Sequence, residues 1–511
     1  MIKSLKNRTF KFLRFLLLFV LGAIASCIFA PFNSAVLGYV ALVLFFAYIL
    51  GAKNFDKKFW GEVYCFSFAF FMMGFSWVAK ALMIDGGTFA YFVPLVLMAM
   101  GGFFGLFIAV PCYLVRFGRN RYAKALMLCL VIVFFEWIRS FIFTGFPWNL
   151  FGSALGVDVR LIQGASVVGV LGLSFVLLML LVGVALIVEK AINERKFDKN
   201  ALYFILFAVL FLVGFSFRYK EFEEGSLKVR LVQPNIPQTF KWNNEMLYEN
   251  FRKYIDLSKS KPLVGVDMVV WGETASPYML DRDDKHLLEI REAIAEDGFL
   301  VTGLIRAGFV MGEYVPYNSL FVIDDLGNIR DYYDKVHLVP FGEFLPFKEY
   351  LPDFMRPVAN VVGNMGRGEK FKNIRVNGLP LMGGAICYES IFSKEVINPK
   401  EKPELLVVLA NDGWYGKSKG PYQHLLEAQL RAVEEGITVV RSANTGISAV
   451  IKPNGDKVGV IGLFESGISD INLPKVLSVD TIYGRWGNWV LVIWGCVLLL
   501  ILGKINKNKL A

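Results

Sequence analysis

At 511 residues the chain could hold several ordinary domains, but 55% hydrophobic residues and a mean hydropathy of +0.49 exclude a purely soluble protein. The net charge of +10 does not point to nucleic acid: the lysines and arginines sit beside apolar segments and form no aromatic-interleaved stripe, which is the pattern of membrane topology. Six cysteines without CxxC spacing and three scattered histidines indicate no disulfide framework, metal site or other cofactor.

Lys3, Lys6, Arg8, Lys11 and Arg14 precede the first apolar run, 15–30. A signal peptide would read similarly, and Ile24-Ala25-Ser26-Cys27 resembles a lipobox, but further apolar runs follow at once, so an uncleaved first membrane helix is expected. The others cover 35–50, 62–83, 89–115, 125–138, 167–188, 202–217 and 489–503, about eight helices in all. The fifth and seventh are short for the roughly 20 residues a bilayer needs. Lys53, Lys57 and Lys58, then Arg116, Arg119, Arg121 and Lys124, then Lys190, Arg195, Lys196 and Lys199, and finally Lys504, Lys507 and Lys509 follow every second helix. The positive-inside rule then puts both termini in the cytoplasm and the long polar region between helices seven and eight outside it.

Glu136 and Arg139 share one helical face and are expected to pair, since a lone charge at that depth is costly. The Thr144-Gly145-Phe146-Pro147-Trp148-Asn149 break that follows reads as an interfacial anchor or a wall of a lipid cleft, with Trp148 as a candidate substrate-contacting residue.

Beyond about Ser226, β-branched runs alternate with amphipathic stretches. Strands are expected at 229–232, 268–271, 300–303, 319–322, 381–386, 405–409, 438–441 and 448–451, with helices at 245–258, 284–296 and 423–435. Asn454-Gly455 signals a hairpin. The chain divides into a membrane part (1–219), one α/β domain (220–485) and a last membrane helix with its tail (486–511).

Three polar residues follow strand-like runs, where α/β proteins tend to place their sites. Glu273 follows Met268-Val269-Val270-Trp271-Gly272, Lys335 lies in Tyr332-Tyr333-Asp334-Lys335-Val336-His337, and Cys387 follows Met382-Gly383-Gly384-Ala385-Ile386. Cys387 is the only cysteine outside the apolar segments. A thiol of ordinary pKa is mostly protonated at neutral pH and needs a base or a cation to become a nucleophile; Glu273 and Lys335 could supply these. Singly, each has a plainer reading: a buried thiol, a surface carboxylate, and a lysine paired with Asp334.

In this order and setting, Glu273, Lys335 and Cys387 resemble the triad of the nitrilase, or carbon-nitrogen hydrolase, superfamily. Together with the membrane helices, the stretches Gln233-Pro234-Asn235-Ile236, Trp271-Gly272-Glu273-Thr274, Pro340-Phe341-Gly342-Glu343, Cys387-Tyr388-Glu389 and Asn411-Asp412-Gly413-Trp414 are similar to one branch, the bacterial apolipoprotein N-acyltransferases. The resemblance implies an αββα sandwich outside the cytoplasm, carried by a helical domain in the bacterial inner membrane. It also implies a phospholipid acyl donor, a diacylglyceryl apolipoprotein acceptor and a thioester on Cys387.

The same resemblance implies that Glu343 orients Lys335, that Tyr388 and Glu389 shape the pocket, and that Trp242 contacts lipid, although an interfacial anchor would equally explain Trp242. His337 and His424 read as structural. The segments 341–360 and 412–421, rich in aromatics and glycine, are candidate lids. A monomer in contact with membrane lipids is expected. The rivals are a membrane-tethered amidase, which leaves eight helices unexplained, and an inactive scaffold or transporter, which leaves the three polar residues unexplained.

Overall fold

The computed structural model describes residues 2–33, 35–84, 87, 89–310, 312–346, 364–369, 371–398 and 400–507. They form two compact units, one of residues 1–220 with 481–511 and one of residues 221–480.

The first unit is helical: α1 (Ile2–Ala25), α2 (Val36–Leu50), α3 (Lys57–Gly74), α4 (Val93–Leu114), α5 (Arg121–Arg139), α6 (Ala165–Glu194) and α7 (Leu202–Ser216). Each of the eight apolar runs coincides with a helix, the last lying further along the chain at Trp489–Lys507. By length and composition, three helices among the described residues can cross a membrane unaided (Ala90–Phe117, Ala165–Glu194 and Lys199–Ser216), or four if Lys57–Gly74 and Ser76–Met83, bent by 46°, count as one. Phe12–Ile28, Val36–Leu50 and Trp489–Ile505 are apolar but shorter. These helices are those of a membrane protein.

Side chains set where two of the helices begin. Asp56 accepts the Phe59 N–H (2.8 Å) at α3, and Asn120 accepts those of Tyr122 (3.1 Å) and Ala123 (2.9 Å) at α5, satisfying amides that the first helical turn leaves open. Buried charge is paired: Glu62 with Arg14 at 2.9 Å, and Arg121 with Glu189, Glu194 and Asp198.

Glu136 and Arg139 both reach the irregular segment after α5. Glu136 accepts the Phe151 N–H (2.7 Å), while Arg139 donates to the carbonyls of Trp148 (3.0 Å) and Asn149 (3.4 Å). Trp148 is thereby drawn inward. It is wholly buried, 4.5 Å from the Trp77 ring and stacked near Phe146. A ring without exposed surface belongs to the core of the helical unit.

The second unit has two six-stranded sheets. One is built from β1 (Glu224–Gln233), β2 (Met268–Val270), β3 (Phe299–Val310), β4 (Glu313–Asp324), β5 (Ile329–Asp334) and, from the end of the domain, β12 (Gly467–Pro474), in the order β12-β1-β2-β3-β4-β5. The other comprises β6 (Asn373–Ile374), β7 (Met382–Ile386), β8 (Leu405–Ala410), β9 (Thr438–Ala443), β10 (Ser448–Ile451) and β11 (Lys457–Ile461), in the order β11-β10-β9-β8-β7-β6. The Asn454-Gly455 turn joins β10 to β11, as the dipeptide predicts.

Alternation along the strands sorts the side chains into layers. Val229, Leu231, Met268, Val270, Leu320 and Val322 of the first sheet meet Met382, Ile386, Leu405, Val407, Val440 and Val450 of the second in one core. The opposite face of the first sheet carries Val269, Trp271, Leu300 and Phe321 against Phe251, Tyr254 and Ile255 of helix Leu247–Ser258. The outer face of the second carries Leu406, Val408 and Val439 against Leu425, Ala428 and Ala432 of helix Gly420–Glu435. The result is the expected αββα sandwich.

Candidate active site

Polar residues gather where the strands of both sheets end. Glu273 lies three residues beyond β2, Lys335 immediately follows β5, and Cys387 immediately follows β7. Glu273 and Lys335 therefore stem from one sheet and Cys387 from the other.

Lys335 is buried, at 1% side-chain exposure, with its Nζ 2.9 Å from Glu343 Oε1 and 3.5 Å from Glu273 Oε1. Asn318 on β4 donates its Nδ2 to Glu273 Oε1 (2.8 Å) and Glu343 Oε1 (3.0 Å), and its carbonyl accepts the Lys335 N–H (2.8 Å). Glu343 Oε2 accepts the Val339 N–H at 2.8 Å. Burial pulls the Lys335 ammonium down, but Glu343, Glu273 and Cys387 outweigh it and hold it above the ordinary lysine range. Asp334, the alternative partner for Lys335, is taken by Arg306 at 2.7 Å.

Cys387 is buried, and its φ of +51° is a left-handed value that non-glycine residues seldom adopt. Burial pushes its thiol up, Glu273 pushes the same way, and Lys335 and the Asn411 N–H oppose them. The Tyr415 hydroxyl is hydrogen-bonded to the thiol. The resting thiol is consequently a protonated one that needs a base, as expected from its type.

Glu389 is wholly buried and braces two segments at once. Its Oε1 accepts from the Tyr333 hydroxyl (2.8 Å) and the N–H groups of Val336 (2.7 Å) and His337 (2.9 Å), while Oε2 accepts the Ile386 N–H (2.7 Å). The Lys335 turn is thus tied to the residue preceding Cys387. Tyr388 is buried with its ring 5.1 Å from Phe392. Trp242 is 47% exposed, available to an apolar surface. Trp148 belongs to the helical unit described above.

Two participants escaped the sequence reading. Asn318 sits beside Ser319 at the edge of the apolar run 320–323 of β4, with nothing in the sequence to single it out. Lys241, at 5% exposure, donates to the Glu273 carbonyl (2.9 Å) and Thr274 Oγ1 (2.6 Å). Burial pulls this ammonium down to about 8 against the opposing pull of Glu273 and Cys387. His424, expected to be structural, lies with its Nε2 2.9 Å from the Cys387 carbonyl oxygen. Among the described residues no group of three or more His, Cys, Asp or Glu could hold a metal. Of the two candidate lid segments, residues 347–360 lie outside the described residues, and in the other Asp412 and Gly413 are buried while Trp414 is exposed.

Gly303 on β3 sets how closely the Glu273 segment approaches the sheet. A Cβ there would lie 2.6 Å from Thr274 N and 2.8 Å from Glu273 Cα, closer than packed atoms tolerate. Gly303→Ala is expected to destabilise the α/β unit by about 1–3 kcal/mol and to lower any activity that depends on the placement of Glu273 at least about tenfold. Urea unfolding and initial rates measure both, and wild-type rates would refute the argument.

The class and then the family follow from the comparisons with known proteins. The profile described as carbon-nitrogen hydrolase matches residues 228–481, which span the sandwich and its polar cluster. The profile described as the apolipoprotein N-acyltransferase N-terminal domain matches residues 21–185. Proteins named apolipoprotein N-acyltransferase are similar along most of the chain: that of Rhodopseudomonas palustris is 34% identical, covering 86% of this chain and 84% of its own, and that of Brucella suis is 34% identical, covering 93% and 92%. The Rickettsia typhi relative is 31% identical, covering 94% and 96%. The chain belongs to the apolipoprotein N-acyltransferase family, a family of acyl-transferring enzymes built on the carbon-nitrogen hydrolase fold.

Proposed function

We propose that this enzyme moves a fatty acyl chain from a phospholipid to the α-amino group of a diacylglyceryl-modified N-terminal cysteine, with Cys387 as nucleophile, Glu273 as base and Lys335 as electrostatic partner. The observation that carries the reading is the ammonium of Lys335 held between Glu273 and Glu343, with Lys335 and Glu273 both acting electrostatically on the buried Cys387 thiol. In the first half-reaction Glu273 takes the Cys387 proton. The C–S bond forms, the ester C–O bond breaks, and the proton passes to the lysophospholipid hydroxyl. In the second the neutral amine attacks, the C–N bond forms, the C–S bond breaks, and a proton from the amine returns through Glu273 to the thiol. Lys335 with the Tyr388 N–H stabilises the oxyanion in both halves. Glu343 orients Lys335, Asn318 joins the two carboxylates, and Trp242 meets lipid.

A thioester must be kept from water, which suits a site bearing lid segments and fed by lipids. We read eight membrane crossings, both termini in the cytoplasm and the α/β unit outside it; the basic clusters after every second helix support this. Intact-mass measurement of the full chain with phospholipid tests the chemistry. The expected result is a fatty-acyl adduct absent from Cys387→Ala, stable in water and discharged by a lipopeptide amine. Rapid discharge by water would mean a hydrolase, and no adduct would overturn the reading.

A further inference from the structure

Lys241 closes the short helix Gln238–Lys241, between the exposed rings of Phe240 and Trp242, and its own side chain turns inward. Its Nζ donates to the carbonyl of Glu273 at 2.9 Å and to Thr274 Oγ1 at 2.6 Å. Lysine, glutamate and threonine are all buried. A lysine gives up most of its hydration to reach two such acceptors, a cost that an incidental contact would not offset. Gln238, at the other end of the same helix, accepts the Asn411 Nδ2 at 2.9 Å, and the Asn411 N–H is hydrogen-bonded to the Cys387 thiol. One turn of helix therefore touches the Glu273 segment of the first sheet and the thiol's neighbour on the second.

The two residues that Lys241 grips form a bulge. Gly303 holds both of its ends: the glycine N–H donates to the Gly272 carbonyl at 3.2 Å, and the glycine carbonyl accepts the Ala275 N–H at 2.7 Å. Glu273 and Thr274 lie between those bonds, two residues facing one, an arrangement that re-aims side chains where a strand ends. Thr274 has a φ of +45°, a left-handed value that β-branched residues scarcely adopt. Such a conformation persists only where its surroundings impose it. The Glu273 carbonyl, displaced from the ladder and buried, needs a donor, and Lys241 is that donor. As ammonium or as amine, the terminal nitrogen carries at least two hydrogens for its two acceptors, so the hold does not depend on its protonation state. The carboxylate end of Glu273 is held separately, by Asn318 at 2.8 Å and Lys335 at 3.5 Å.

We infer that Lys241 is a positioning residue for Glu273: by holding the Glu273 carbonyl and the Thr274 hydroxyl, it fixes the left-handed bulge from which the carboxylate reaches Lys335. Without this grip Thr274 relaxes out of the left-handed region, and the carboxylate loses its place between Asn318 and Lys335. Lys241 thus acts on the reaction through Glu273. The inference rests on the reading of Glu273 as the base of acyl transfer.

The test uses the full-length protein in detergent micelles, with phospholipid and a lipopeptide acceptor added for the kinetics. Lys241→Met fills similar space but offers no donor; it is expected to lower kcat at least about tenfold with KM for phospholipid unchanged, as a misplaced base does. Amide hydrogen exchange, followed peptide by peptide, is expected to quicken about tenfold over residues 271–277 and to keep wild-type rates in the neighbouring strands β3 and β4. Thr274→Ser keeps the hydroxyl that Lys241 grips, and Thr274→Ala removes it while leaving the lysine's charge in place. The serine variant should retain more kcat than the alanine one, and the difference should shrink below about twofold once Lys241 is also replaced by methionine. Unchanged exchange over 271–277, a rise spread equally across the α/β unit, or a serine–alanine difference undiminished by the second substitution would overturn the inference. Should Lys241→Met fail to fold, the Thr274 pair decides: 271–277 must exchange faster in the alanine variant, and equal exchange sinks the proposal. Hydrogen exchange requires no acyl transfer. Failure of the acyl-adduct experiment with the exchange results intact would therefore reject the reaction and leave the lysine's hold on Glu273 standing, whereas adduct formation at the wild-type rate in Lys241→Met would reject this role alone.

Discussion

Lys335→Met is expected to abolish acyl transfer and to cost the α/β unit about 3–5 kcal/mol, the penalty for removing one partner of a buried ion pair. The methionine fills similar space, so the loss is one of charge: Glu273 and Glu343 would share the Asn318 amide with no ammonium between them. For a unit of this size the cost corresponds to a fall in Tm of about 10 °C. Activity should drop at least about 10³-fold, the scale of losing an oxyanion donor. Adding Glu343→Gln to the variant removes the uncompensated charge and should restore much of the stability while leaving transfer undetectable.

The pH dependence gives a further check. The folded pKa of Lys335 is raised, so its stabilising contribution is complete below the free lysine value of about 10.4 and is lost only as the pH climbs through the higher folded value. Between pH 6 and 9 the wild-type contribution is therefore flat. A variant with wild-type Tm at pH 8 would show that the ammonium is not ion-paired in the folded protein.

Glu389→Gln should be damaging although Glu389 is placed away from the reacting atoms. Four donors converge on its two oxygens. An amide can offer one oxygen only, so at least one buried N–H or O–H must face an NH₂ group. Leaving a buried donor unsatisfied costs about 1–3 kcal/mol, and the urea midpoint should fall accordingly. The bonds lost are those tying Val336 and His337, next to Lys335, to Ile386, next to Cys387. The expected kinetic signature is a kcat at least about tenfold lower with little change in KM, since the catalytic groups lose registry before the lipid surface does. An unchanged urea midpoint together with wild-type kcat would show that this brace is dispensable.

Much of this site is legible along the chain because its strongest signals are local. Glu273, Lys335 and Cys387 each follow a short β-branched or glycine-loosened run, and all three structural positions lie at strand ends. The Asn454-Gly455 hairpin reads directly from two residues. β5, with its sequence Ile-Arg-Asp-Tyr-Tyr-Asp, and β12, with Ser469, Asp470 and Asn472 among its apolar positions, carry weaker patterns. They become strands through pairing with β4 and β1, which composition does not reveal. Asn318, Lys241 and His424 are ordinary polar residues in sequence, and their importance comes from partners 45, 32 and 37 residues away. The burial of Trp148 is equally invisible in the sequence: Arg139 takes its carbonyl and the Trp77 ring lies against it.

By itself the sequence determined the apolar helices, the polar α/β insertion before the last of them, and a single cysteine outside the apolar segments, because hydropathy and residue chemistry are local properties. Only the tertiary structure decided what that cysteine meets. Glu273 and Lys335 belong to one sheet and Cys387 to the other. No spacing along the chain brings them together; they meet because the inner faces of two sheets must bury Val270, Leu320, Ile386 and Val407 against each other, and closing that core sets the strand ends side by side.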